Sequence, residues 1–154
     1  MSVRCGDRRA SLSAIGAGAI ALLGATLMTG GAAVAQSGDP VIALELNDAA
    51  ANAKACRLSF VIANKQTIDI DDMALELVLF DKDGRVERFV VVRSGKVPAA
   101  KNRVRQFDIA ETACADIGRV LLNDVKECKG DGLTPPLCSD RIQASSRAAI
   151  GFEN

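Results

Sequence analysis

Cys56, Cys114, Cys128 and Cys138 are the residues of this 154-residue chain whose type and spacing most directly imply chemistry. Thiols hold zinc, attack an electrophile or pair with one another. Zinc sites use Cys-x-x-Cys spacings or histidine; here no cysteines stand that close, and histidine is absent from the whole sequence. A nucleophilic cysteine or serine draws on a histidine base, which this chain cannot supply, and no serine lies in a Gly-x-Ser-x-Gly elbow. The even set of four therefore reads as two structural disulfides, with three pairings open. The fifth cysteine, Cys5, lies in an N-terminal segment that export would discard.

Carboxylates are the other chemistry to weigh. Glu76 and Glu87, on opposite strands of a predicted hairpin, are one example of a pair a carboxylate-based hydrolase could use, although exposed carboxylates on a wet sheet face are far commoner. The sequence has no Trp and no Tyr, so the aromatic platforms that sugars need are missing. Asp69, Asp71 and Asp72 lack the oxygen-ligand spacing of a calcium loop and read as a solvated loop. Asp81-Lys82-Asp83-Gly84 has Leu79 and Val90 where such a loop needs oxygens, so it reads as a turn. No catalytic residue, metal or cofactor is expected.

Arg85, Arg88, Arg93, Lys96, Lys101, Arg103 and Arg105 fall within 21 positions and form a candidate basic patch for an acidic partner or polymer. The blander reading, which we prefer, is a set of charges that guard sheet edges against aggregation. Asn123 and Asp124 are candidate internal partners for these arginines.

These residues need elements to position them, and the first segment is not one of those elements. Residues 1–35 carry Arg4, Arg8 and Arg9, then a weakly apolar run from Ala14 to Leu27, then Ala33-Val34-Ala35. That is the layout of a signal peptide cleaved before Gln36. Arg8-Arg9 also resembles a twin-arginine signal, and the general and twin-arginine routes stay open. Its removal takes three arginines and Asp7 from the 19 basic and 19 acidic residues, leaving 16 and 18. A balance near −2 does not point to nucleic acid or an anionic membrane surface, and no stable membrane insertion is expected after cleavage.

After a short linker, 36–40, residues 41–154 read as one β-domain. Strands are predicted over Pro40–Leu46, Cys56–Ala63, Met73–Phe80, Arg85–Val92, Arg103–Ile109 and Ile117–Val125, with a weaker one in Arg141–Phe152. Asn47–Ala55 and Gly130–Pro136 read as loops, and no amphipathic helix is expected. Met73, Leu75, Leu77 and Leu79 share one face, with Glu76 on a wet one. Arg103 and Arg105 share a face with Phe107 and Ile109, which implies either the wet end of a sheet or a twist. All five phenylalanines lie in predicted strands.

Short strands with turns between them argue an all-β fold, an immunoglobulin-like two-layer antiparallel β-sandwich. In immunoglobulin strand order, the strand opened by Cys56 and the strand after Cys114 start at the same end. Cys56–Cys114 and Cys128–Cys138 are then the natural bridges, worth about 4 and about 3 kcal/mol by loop-closure entropy. The run Ile117–Val125 would have a covalent tie at each end.

The texts C-R-L-S-F-V-I-A-N, L-E-L-V-L-F-D-K-D-G, R-V-R-Q-F-D-I and I-G-R-V-L-L-N-D-V-x-x-C resemble uncharacterised small exported proteins of alphaproteobacterial type, often with a twin-arginine signal. The resemblance covers Leu44 to Cys138. It implies an exported β-domain and carries no activity or site residues. More distantly, the layout is similar to immunoglobulin-like modules of bacterial cell-envelope proteins.

The expected function is a non-catalytic binding or accessory module of the cell envelope, periplasmic or secreted, with an envelope protein or polymer as partner and no nucleic acid. One alternative is a carboxylate-based hydrolase acting on an envelope substrate. Another is an assembly or chaperone-like protein that pairs through a sheet edge. A regular open edge without Lys or Pro would favour the last.

Overall fold

The protein, described by a computed structural model over residues 41–154, is a two-layer sandwich of eight strands. The signal peptide and linker expected over residues 1–40 lie outside the described residues. The strands are β1 (Ile42–Asn52), β2 (Ala55–Asn64), β3 (Asp72–Asp81), β4 (Val86–Arg93), β5 (Lys101–Ala110), β6 (Ile117–Lys129), β7 (Ile142–Ser146) and β8 (Gly151–Glu153). One sheet has the order β5-β2-β1-β7 and the other β4-β3-β6-β8.

Period-two alternation builds the core. Leu58, Phe60 and Ile62 of β2 and Met73, Leu75, Leu77 and Leu79 of β3 are all buried on the inner faces. Each such side chain contributes about 1.5–3 kcal/mol by leaving water. Phe60 is the hub, with the Phe107 ring 6.1 Å away and the Phe152 ring 5.3 Å away edge-on.

Three expectations are corrected. Asn47–Ala55 is not a loop: β1 runs on to Asn52 and meets β2 in a hairpin turned at Ala53 and Lys54. Its alanines have little strand propensity, but their backbone groups pair with Cys56–Leu58, and pairing outweighs propensity here. A bulge between Leu46 and Asp48 absorbs the change of register.

The loop expected over Gly130–Pro136 ends early. Pro135 opens a short helix, α1 (Pro135–Arg141), capped by Thr134, whose hydroxyl accepts the Leu137 N–H at 3.4 Å. Thr before Pro-Pro carried that signal, since proline suits the first helical turn. The weak last strand is in fact two, β7 and β8, which join opposite sheets. Each pairs in parallel, β7 with β1 and β8 with β6, where the other pairings are antiparallel.

Both expected disulfides are present. Cys56 in β2 bonds Cys114, which lies in a 3-10 turn (Cys114–Asp116) just before β6, with Cα atoms 4.8 Å apart. Cys128 near the end of β6 bonds Cys138 in α1, which leads directly into β7. Each end of β6 is thus tied to chain belonging to the opposite sheet. Paired thiols of this kind suit an oxidising, non-cytoplasmic compartment. Among the described residues no helix is long and apolar enough to cross a membrane.

Candidate binding edge

β4 and β5 are the edge strands on the same side of the two sheets, so the sandwich is open between them. The turn before β4 is set by Asp81, whose Oδ1 accepts the N–H of Asp83 at 2.9 Å and of Arg85 at 2.8 Å. Gly84 supplies the positive φ of +79° that closes it. The chain after β4 crosses to the other sheet, pinned by acids. Asp72 Oδ1 accepts the Gly95 N–H at 3.0 Å and Asp69 Oδ1 accepts the Ala99 N–H at 2.8 Å. The Ala99 N–H, helped by Lys96, holds the Asp69 carboxyl below its ordinary range.

The cluster read as a solvated loop is therefore the anchor of this crossover. Lys96 Nζ lies 3.0 Å from Asp69 and 3.4 Å from Asp71, and Asp72 is bonded to Arg93. Their lone pairs are spent on backbone amides and neighbouring cations.

Between the two edges lies a cleft of about 500 Å³, lined by Val90 and Val92 of β4 and by Phe107 and Ile109 of β5. Two arginines lace its ends. Arg88 Nη1 donates to the Ala110 carbonyl at 2.9 Å, and Arg105 Nε donates to the Ser94 carbonyl at 2.5 Å. Arg105 and Arg103 thus sit where the inner face of β5 becomes wet. The β2–β5 register is unbroken, so no bulge is involved.

The seven basic residues sort into different settings. Arg85 meets Asp83 at 3.5 Å in the turn, Arg93 meets Asp72 and Glu127, and Lys96 meets Asp69 and Asp71. Arg88, Arg103 and Arg105 donate only to main-chain carbonyls, and Lys101 is exposed at the start of β5. Asn123 and Asp124 meet Glu76 and Lys126 rather than any of these arginines.

The carboxylate pair does not form. Glu76 stands opposite Val91, whereas Glu87 falls in the bulge beside Leu79 and Phe80, about four residues or 13 Å further along the strand. Glu76 is instead held by Asn123 at 2.6 Å and Lys126 at 3.2 Å.

What sequence reasoning missed is the apolar edge. Val86, Phe89 and Val91 are 54%, 60% and 58% exposed on β4, and Val104 is 59% exposed on β5. The signal was the unalternating run F-V-V-V, which must turn apolar side chains to both faces of a strand. The Ser94 N–H donates to the Met73 carbonyl, so in this antiparallel ladder Val90 and Val92 bond toward β3. The backbone groups of Phe89, Val91 and Arg93 consequently point outward, away from the sheet. β4 contains neither Lys nor Pro.

No family model matches the sequence, and no curated protein matches it. Among solved structures, the one described as the structural characterization of IrmA from Escherichia coli is similar to this chain. Its TM-score is 0.56 at 12% identity, over 68% of this chain and 91% of that one. A likeness at that identity speaks to the fold alone: a shared β-sandwich.

Proposed function

We propose that the protein is a non-catalytic binding or accessory module of the bacterial cell envelope, periplasmic or secreted, and that it lends the free edge of β4 to an extended segment of a partner protein. The observation that carries this reading is an edge strand whose outward backbone groups lie beside Val86, Phe89 and Val91, each more than half exposed. Soluble proteins ordinarily blunt such an edge with Lys, Pro or a covering loop. An added strand would gain a ladder of main-chain hydrogen bonds and bury these side chains. The two disulfides support a destination outside the cytoplasm.

The test uses residues 36–154, purified oxidised, as wild type, Val91→Pro and Val91→Thr. Each captures proteins from envelope extracts, with bound proteins quantified by mass spectrometry. Proline removes the outward N–H at Val91 and leaves the β3 ladder intact. A partner retained by wild type and the threonine variant but lost with proline supports the reading. Equal capture by all three removes the edge as the binding element.

A further inference from the structure

We infer that the strand received by β4 is an acidic one, an extended segment in which apolar side chains alternate with Asp or Glu. This rests on the strand-lending reading above and names the chemistry of the partner. On β4 and β5 four cations, Arg88, Lys101, Arg103 and Arg105, make no ion pair among the described residues, against one carboxylate, Glu87, that makes none. The only other acid on these strands, Asp108, is taken by Arg57 through two bonds of 2.8 and 2.9 Å and by Asn52.

Two of those cations border the cleft that an added strand would cover: Arg88 lines it, and Arg105 closes its far end on the Ser94 carbonyl. Their guanidinium groups donate to carbonyl oxygens, which satisfies hydrogen bonds and leaves the charge unanswered. A neutral strand laid here would strip water from these charges and return nothing. Carboxylates at alternate positions would answer them from the inward face, while the intervening apolar side chains, turned to the outer face, cover Phe89 and Val91. A second copy of this chain fits poorly. Pairing β4 with β4 about Val90 sets Phe89 against Val91 of the other copy, but it brings four more unanswered cations to the same side.

The test titrates labelled peptides of about nine residues, the length of one strand, alternating Val with Glu, Gln or Lys, onto oxidised 36–154. Fluorescence anisotropy reads binding. The Glu peptide is expected to bind about tenfold tighter than the Gln peptide, and the Lys peptide not detectably. That advantage should shrink several-fold between about 50 and about 300 mM salt. Arg88→Gln, which takes one charge from the cleft lining, should reduce Glu-peptide affinity and leave Gln-peptide affinity unchanged, with an unaltered circular dichroism spectrum as the check on folding. Equal binding of the Glu and Gln peptides overturns the acidic assignment and leaves the edge reading standing. No binding by any peptide overturns both. Sedimentation showing a dimer that Val91→Pro dissolves puts a second copy on the edge and overturns the acidic partner.

Discussion

Arg93 on β4 and Glu127 on β6 meet over the methyl group of Ala74 on β3, with 2.7 Å between guanidinium and carboxylate. Both pair with Ala74 in register, and the small side chain between them lets two long ones close above it. Arg93, joined by Lys129, holds the Glu127 carboxyl down to about 2 from an ordinary 4.5.

A group whose folded pKa is depressed contributes stability above its unfolded pKa and loses it as pH falls through the folded value. The Glu127 contribution is thus full above about pH 5 and fades toward about pH 2. Urea midpoints of wild type and Glu127→Gln should differ by a constant amount above about pH 5 and converge below it. A gap that widens on acidification contradicts the pairing.

Proline scanning of β4 separates its two edges. Val91→Pro is expected to leave the denaturation midpoint nearly unchanged, because that N–H faces away from β3. Val90→Pro removes a ladder bond and should cost at least about 2 kcal/mol. Equal costs would mean that the orientation of β4 is misassigned.

Gly118 in β6 has no room for a side chain. A Cβ there would stand 2.3 Å from the Asp81 carbonyl oxygen, a backbone atom that cannot step aside. Gly118→Ala should destabilise by about 2–3 kcal/mol, read as a shift in urea midpoint without a change in slope. Gly132→Ala, in open space at a φ of +67°, should cost only about 1 kcal/mol.

Asn64 is buried at the end of β2, and its amide donates to the carbonyls of Ile68 at 2.9 Å and Val97 at 3.0 Å, while its oxygen accepts the Gln66 N–H. Asn64→Leu strands these main-chain groups and should cost about 2–4 kcal/mol. Hydrogen exchange at residues 66–70 and 97 should accelerate with it.

Removing Cys56–Cys114 as a double alanine variant opens a loop of 58 residues and should cost about 4 kcal/mol. Removing Cys128–Cys138, a separation of 10, should cost about 3 kcal/mol. Unreduced wild-type 36–154 should titrate no free thiol.

Alternation in M-A-L-E-L-V-L-F marked β3 and its inner face, and Asp81 to Gly84 marked the turn into β4, because side-chain period and turn conformation are local properties. The even set Cys56, Cys114, Cys128 and Cys138, in a chain without histidine, pointed to disulfides. Parity alone left three pairings, and it was the strand order expected of the fold that pointed to the two bridges observed. The hairpin through Asn47–Ala55 stayed hidden, since alanines become a strand only when Cys56–Leu58 pairs with them.

The candidate site was legible only in part. Arg88, Arg103 and Arg105 stood out as basic residues, yet only the folded chain sets Arg88 and Arg105 at the two ends of one cleft and gives the acids to Arg93, Lys96 and Arg57 instead. Whether Phe89 and Val91 are core or surface depends on whether another strand follows β4 in its sheet. Sequence by itself determined most of the extended segments and the set of cysteines that pair; tertiary structure decided which strand is the open edge, because strand order arises from contacts between residues far apart in the chain, and no local pattern encodes a missing neighbour.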